Sequence, residues 1–336
     1  MTIENLEKEL KNGSLNNLYL LYGEEKFLLE SCLKKIKKIF GEIAVGINYI
    51  LIDENNINTL ISELNTPAFG YPKKLIIVRN VKFFKKETKK KSNNNDSIKE
   101  KLVEYIKSNN NENILVIIEE EVEKNSLLEE IQNNNGIVCN FEFQKPNILV
   151  QRLKAICNAY KVNIDNASLN HLIDVSGTDM QILINEIRKL IEYAGENGTI
   201  KAEDIDALST KTIDSNIFDL TDNLGKKNIT AVIEILEELL YNKEPIQKIL
   251  ITLYNHIKKI YIVKKCEFEN RNINEELNLK PNQTFLVNKY KTQSRYFDIE
   301  ELTIILRQLI DLDYNYKIGK IDINIGLESI LCRYCS

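Results

Sequence analysis

The chain has 336 residues, of which 43% are apolar and 28% are charged, and its net charge is −4. This balance is typical of a globular protein and excludes a fibrous or disordered one, while the length predicts two or three domains. The slightly acidic balance excludes binding of nucleic acid by bulk electrostatics, so any such contact must come from a local basic patch.

Apolar runs and cysteine positions indicate the compartment. The first residues lack the apolar core of a signal peptide, and no apolar run is long enough to span a membrane. We therefore expect a cytoplasmic protein. The six cysteines are scattered, mostly inside apolar patterns, which favours reduced, buried thiols over a disulfide framework.

The first third of the chain alternates strand and helix patterns. Continuous apolar runs predict strands at 18–22, 48–52, 75–78, 114–118 and 137–141, with helices at 24–40 and 57–64. Strands separated by helical stretches need crossover connections. The pattern therefore predicts a parallel sheet covered on both faces, in a domain spanning 1–143.

The turn after the first strand lies where a phosphate-binding loop would lie in such a domain. It contains one glycine, Gly23, followed by Glu24, Glu25, Lys26 and Phe27, so it lacks the glycine-rich turn and the Lys-Ser/Thr pair. The two acids would satisfy the helix N-terminus and repel a triphosphate. The acidic run 119–121 after the fourth strand then has no phosphate loop to complement. The sequence predicts no nucleotide, metal or other cofactor.

A lysine-rich segment, Lys82–Lys91, follows the third strand. Two interpretations are open: a loop that contacts phosphates of DNA, or a solvated insertion that cannot bury area.

From residue 144 onward the strand pattern nearly stops. Helical spacing predicts a small helical domain at 144–210, with Asp165 capping a helix at 166–175 and Thr178 or Asp179 capping the next. A short β-bridge and one more helix follow near 199–205. The range 211–336 predicts an all-helical domain, with helices at 215–224, 229–241, 245–266, 282–293, 298–318 and 323–334. Pro245 is predicted at the first helical position of the longest of these.

Residues that often carry catalysis or bind metals are sparse. Cys332 and Cys335 form a lone Cys-x-x-Cys in a helical pattern, which cannot supply four zinc ligands and favours two incidental thiols. His171 is expected to be a core histidine, and His256 lies in the long helix without an acid at hand. The sequence predicts no catalytic residues.

The segment 65–72 precedes the third strand and carries aromatic residues where loops are normally polar. Pro67 and Pro72 fix φ and restrict the residues before them, and Gly70 lies between. A stiff, bent loop is therefore predicted. Phe69 and Tyr71 could serve the core or anchor another protein.

The sequence resembles the δ-subunit family of the bacterial DNA polymerase III clamp loader over nearly its whole length. The resemblance rests on the shared order of these segments: NLYLLYGEE (17–25), TPAFG (66–70) with LIIVRN (75–80), GTDM (177–180) with EIRKL (186–190), IFDL (217–220), PI (245–246) with Leu250, and LDY (312–314) with KIG (317–319).

The resemblance implies an AAA+-like N-terminal domain with a degenerate nucleotide site, a small helical lid domain and a helical collar domain. It further implies a subunit without ATP hydrolysis that binds and opens the β sliding clamp. The collar would join the γ/τ ATPase subunits and δ′. The subunit would contact primer-template DNA as part of this complex. Mapped by motif, the apolar pair that contacts the clamp is Ala68 and Phe69, backed by the helix 57–64. The clamp-binding residues predicted beside this pair are Pro67, Tyr71, Leu60 and Leu64. The alternatives from other classes are an AAA+-type ATPase and a nucleic-acid-binding regulator.

Overall fold

The computed structural model describes residues 1–84, 94–108, 113–279 and 283–335. The chain divides into two compact units, Met1–Phe143 and Gln144–Ser336. Within these described ranges, no helix is both long enough and apolar enough to cross a membrane.

The first unit is built on a five-stranded sheet in the order β2-β3-β4-β1-β5, and every neighbouring pair is parallel. Its strands are β1 Leu18–Tyr22, β2 Tyr49–Ile52, β3 Lys74–Arg79, β4 Asn113–Glu119 and β5 Ile137–Asn140. Its helices are α1 Ile3–Lys11, α2 Lys26–Phe40, α3 Leu60–Asn65, α4 Asn94–Lys107 and α5 Ser126–Asn133, with a 3₁₀ turn at Ile57–Thr59. The five predicted strands and the parallel sheet are confirmed.

The sheet is buried on both faces, which explains its continuous apolar strands. Leu20, Ile76 and Ile117 belong to one core cluster, which also includes residues of α3, α4 and α5. Because side chains alternate along a strand, Leu21 and Ile77 lie on the opposite face, and both are fully buried there.

Three helices of the first unit were not predicted. Helix α1 is amphipathic, because Ile3, Leu6 and Leu10 are buried along one face. Its N-terminus is capped by the Thr2 hydroxyl, which accepts a hydrogen bond from the Asn5 amide. Helix α4 has 14 residues and α5 has eight, and both are rich in polar residues. Each packs its apolar residues into the core beside the sheet, with Leu102 of α4 and Leu127 of α5 fully buried there.

The second unit contains α6 Pro146–Ala159, α7 Asn166–Ser176, α8 Met180–Ala194, α9 Ala202–Leu208, α10 Ile213–Gly225, α11 Ile229–Tyr241, α12 Ile246–Glu269, α13 Ile273–Leu277, α14 Leu286–Ser294, α15 Ile299–Lys317 and α16 Ile323–Cys335, with a parallel pair of short strands, β6 Asn163–Ile164 and β7 Thr199–Ile200. The predicted fold class, parallel α/β followed by helical structure, is confirmed. The Asp165 and Asp179 carboxylates accept bonds from the Ser168 amide at 2.6 Å and the Ile182 amide at 3.0 Å, so both predicted caps form.

Two predicted helix starts are wrong. Pro245 is the N-cap of α12 in an extended conformation, not its first helical residue, and the helix begins at Ile246. Helix α14 begins at Leu286 instead of residue 282, because its buried residues start only at Val287, and α13 was not predicted. Residues 280–282 lie outside the described ranges.

Helix α12 contributes more buried residues than any other helix to one hydrophobic core of the second unit. Ile249, Leu253, Ile257 and Ile260 of α12 are fully buried among residues from α10, α11, α15 and α16. The range predicted as a separate lid packs within this same unit, since the Thr212 amide before α10 donates to the Val175 carbonyl in α7 at 3.1 Å.

Candidate protein-binding site

The loop between α3 and β3 presents the most exposed large apolar side chain in the described part of the chain. The Phe69 side chain is 90% exposed. Pro67, Gly70 and Pro72 are also exposed, whereas Ala68 and Tyr71 are partly buried. An isolated exposed phenylalanine of this degree has no role in the core of its own unit.

A tight turn places Phe69 at the tip of the loop. The Tyr71 amide donates to the Ala68 carbonyl at 3.3 Å, and Gly70 has a φ of +78°. A positive φ at the third position of a four-residue turn is typical of type II geometry and favours glycine. Phe69 is at the second position of this turn, and its side chain is exposed there. The turn type was not predicted, although Gly70 between two prolines was the available signal.

Leu60 and Leu64, predicted to bind the clamp, lie in the core. Leu60 is 0% exposed and Leu64 is 1% exposed, and both pack in the cluster beneath the sheet face. Residues four apart share one face of a helix, and on α3 that face meets the sheet. Both side chains are buried beneath the loop, so they support it from the core.

The turn after β1 forms backbone hydrogen bonds within the first unit. The Gly23 amide donates to the Glu119 carbonyl at 3.4 Å, and the Glu25 amide donates to the Phe141 carbonyl at 2.8 Å. A Cβ at Gly23 would overlap the Phe141 carbonyl oxygen. Lys26 pairs with Glu120 at 3.1 Å. In a phosphate loop, the amides of this turn would donate to the ligand. Here the amides of Gly23 and Glu25 donate to carbonyl groups of the protein.

The lysine-rich segment is only partly described. Lys82 forms an ion pair with Glu54, while Phe83 and Phe84 are buried in the core of the first unit. Lys85–Lys91 lie outside the described residues. The two interpretations of this segment stay open.

The histidines and cysteines do not assemble a reactive site. His256 is buried, and burial lowers its pKa to about 4, so it is neutral at physiological pH. His171 was expected in the core but lies at the surface, 2.7 Å from the Asp206 carboxylate. Burial raises the pKa of the Cys139 thiol to about 11. No cluster of three potential metal ligands occurs in the ranges that the structure describes.

Comparison with known proteins identifies the family of this chain. Models of the DNA polymerase III delta subunit match residues 19–142 and, for its C-terminal domain, residues 214–334, together more than half of the chain. A middle-domain model matches residues 145–207. The chain has a parallel α/β domain followed by helical structure. It belongs to the DNA polymerase III delta-subunit family.

Individual relatives agree with this assignment. The chain is 26% identical over 333 residues to the DNA polymerase III subunit delta of Bacillus subtilis, which covers 97% of this chain and 95% of the relative. It is 25% identical over 307 residues to the probable DNA polymerase III subunit delta of Aquifex aeolicus, covering 88% and 85% of the two chains. The solved structure of the Bacillus subtilis DNA clamp loader delta protein has the same fold, with a TM-score of 0.71, 23% identity and 99% of both chains covered.

Proposed function

We propose that this chain is the clamp-loader δ subunit that binds the β sliding clamp through the loop 66–72 and opens it for loading onto primed DNA. The observation that carries the proposal is the Phe69 side chain, 90% exposed at the tip of a defined turn. A large apolar side chain held clear of its own core is the form that a protein-binding hot spot takes. The family of the chain supplies the clamp as the partner.

The expected mechanism is selective binding of an opened clamp. Burial of one phenylalanine stabilises a complex by about 1.5–3 kcal/mol. This energy suits a hot spot but is too small to break a large ring interface alone. A subunit that binds the sprung or opened clamp more tightly than the closed one shifts the clamp towards opening by that difference in affinity.

The proposed subunit does not hydrolyse ATP. The closed turn at Gly23, whose amide donates to Glu119, supports this part of the proposal, as does the pairing of Lys26 with Glu120. Nucleotide turnover would then belong to the γ/τ ATPase subunits of the complex. Measurement of ATP binding by the purified full chain tests this, and tight binding of magnesium-ATP would contradict it.

The remaining partners follow from the same assignment. Residues 211–336 would join γ/τ and δ′ in a collar, and primer-template DNA would be met through the assembled complex in the cytoplasm. Exposed apolar side chains on α12 and α15 fit this role: Ile251 is 59% exposed, Ile304 55% and Tyr314 62%.

Clamp affinity of Phe69→Ala tests the central proposal. We expect the affinity of the full chain for purified β clamp to fall by about 2 kcal/mol or more, as for a typical hot spot. Phe268→Ala is the matched control, because Phe268 is also highly exposed, at 80%, but lies near the end of α12. Equal affinity of Phe69→Ala and wild type, with both folded, would remove the loop from the proposed interface.

A further inference from the structure

Helix α3, which leads into the loop 66–72, is too short to fix its own orientation. It has six residues, and isolated helices of that length are not stable in water. The last carbonyls of a helix also have no partners within it. The orientation of the Phe69 loop therefore depends on the groups that satisfy the end of α3.

Four carbonyls at the end of α3 each accept a side-chain hydrogen bond. The donors are the Asn65 amide to Ile61 at 2.9 Å, the Thr66 hydroxyl to Ser62 at 2.9 Å, the Lys74 ammonium to Glu63 at 3.2 Å, and the Asn113 amide to Leu64 at 2.9 Å. Two of these donors lie on neighbouring strands, since Lys74 begins β3 and Asn113 begins β4. The end of α3 is thus bound to the amino ends of β3 and β4.

Lys74 has the central position in this network. Its ammonium group also lies 3.0 Å from the Glu63 carboxylate and 2.9 Å from the Thr66 hydroxyl, and the residue is only 4% exposed. Glu63 lies just before the loop and Thr66 is its first residue, whereas Lys74 lies just after it. The ammonium therefore joins the two ends of the loop across its base. A positive charge at a helix C-terminus is also favoured by the helix dipole.

We propose that Lys74, Glu63, Thr66 and Asn113 form a latch, and that Lys74 is the positioning residue that holds Phe69 in the orientation required for clamp binding. This inference rests on the proposed clamp-binding function. Its physical basis is preorganisation: a loop held in its binding conformation loses less conformational freedom on association. Apparent affinity falls in proportion to the fraction of molecules that hold the competent conformation.

The test is Lys74→Met, which keeps most of the apolar stem and removes the ammonium group. We expect the affinity of the full chain for purified β clamp to fall about tenfold, as for a loop competent in about a tenth of the molecules. Lys73→Met is the matched control, because the adjacent Lys73 ammonium lies 3.0 Å from the Asn17 side chain and is not bonded to α3. Urea unfolding of each variant separates lost affinity from lost folding.

A double-mutant cycle distinguishes positioning from a general structural role. If Lys74 acts through Phe69, then Lys74→Met has no further effect on affinity when Phe69 is already alanine. We also expect faster hydrogen exchange at the Thr66 and Tyr71 amides in Lys74→Met. Additive losses in the cycle, or equal affinities of Lys74→Met and Lys73→Met, would overturn the latch.

Thr66→Val is the second variant if Lys74→Met does not fold. Thr66 is exposed, so loss of its hydroxyl removes the bonds to Lys74 and Ser62 without opening the core. We expect a severalfold loss of affinity, also absent in the Phe69→Ala background, and an unchanged affinity would overturn the latch. A different result would show that the proposed clamp-binding function itself is wrong: Phe69→Ala would then bind the clamp like wild type.

Discussion

Acidification should destabilise the second unit through His256. The imidazole Nε2 lies 2.8 Å from the Gln293 side-chain oxygen, and the Gln293 amide donates to the Phe218 carbonyl at 2.9 Å, which fixes the amide orientation. Nε2 therefore carries the proton and donates in neutral His256. The ring packs at 4.2 Å from the Phe218 ring and 5.2 Å from the Tyr290 ring, between centroids. A charged imidazolium would be poorly solvated there.

The sign and size of the effect follow from the pKa. Burial lowers the pKa of His256 from 6.5 to about 4, with a smaller opposing effect of the Gln293 bond and a small contribution of Lys259. Above pH 6.5 the imidazole is neutral in both states and its contribution is complete. Below pH 6.5 His256 is protonated in the unfolded chain but stays neutral in the folded chain, so the free energy of unfolding falls until about pH 4. Between pH 7.5 and pH 5 the loss is about 2 kcal/mol.

The assay is urea unfolding at pH 7.5 and pH 5, compared between wild type and His256→Phe. Each protein is referred to its own value at pH 7.5, so any constant packing cost of the substitution cancels. We expect the loss of unfolding free energy on acidification to be about 2 kcal/mol smaller in the variant. Equal losses in the two proteins would refute a neutral, buried His256, as would a directly measured pKa near 6.5 in the folded state.

Two substitutions test the remaining assignments. Gly70→Ala should weaken clamp binding severalfold, and Gly70→Asn should weaken it less. The reason is that Gly70 has a φ of +78°, and asparagine tolerates the left-handed region better than alanine. Equal affinities of the wild type and both variants would show that the turn is unimportant for clamp binding. Leu64→Ala should lower the free energy of unfolding by about 2–5 kcal/mol in urea, since Leu64 is 1% exposed in the core; a large loss of clamp affinity with unchanged stability would instead make Leu64 a direct contact.

The strands and the helix caps could be predicted because their signals are local. A parallel sheet covered on both faces requires continuous apolar runs, and each of the five runs became a strand. The Asp165 cap likewise depends on the amide of Ser168, three residues away. Helix α4 was missed because most of its 14 residues are polar, and the burial of Ile98, Leu102 and Ile106 is evident only from their packing in the core.

The binding loop could be found from sequence, but its working surface could not. Two prolines, a glycine and Phe69 indicated a stiff aromatic loop, and the family resemblance suggested its partner. The same reasoning placed Leu60 and Leu64 at the interface with the clamp. In the structure both side chains are buried in the core. Helical spacing shows that two residues share a face, but only the position of α3 on the sheet shows where that face points.

By itself, the sequence determined the five strands of the sheet, the loss of the phosphate-loop pattern and the family, because each depends on residue types at short spacing or on motifs in fixed order. Only the tertiary structure decided that Phe69 is at the tip of a turn and that Lys74 and Asn113 hold the end of α3. Asn113 is 49 residues from the carbonyl it binds. Parallel pairing of β3 with β4 brings such distant groups together. A contact between residues so far apart cannot be predicted from a local pattern along the chain.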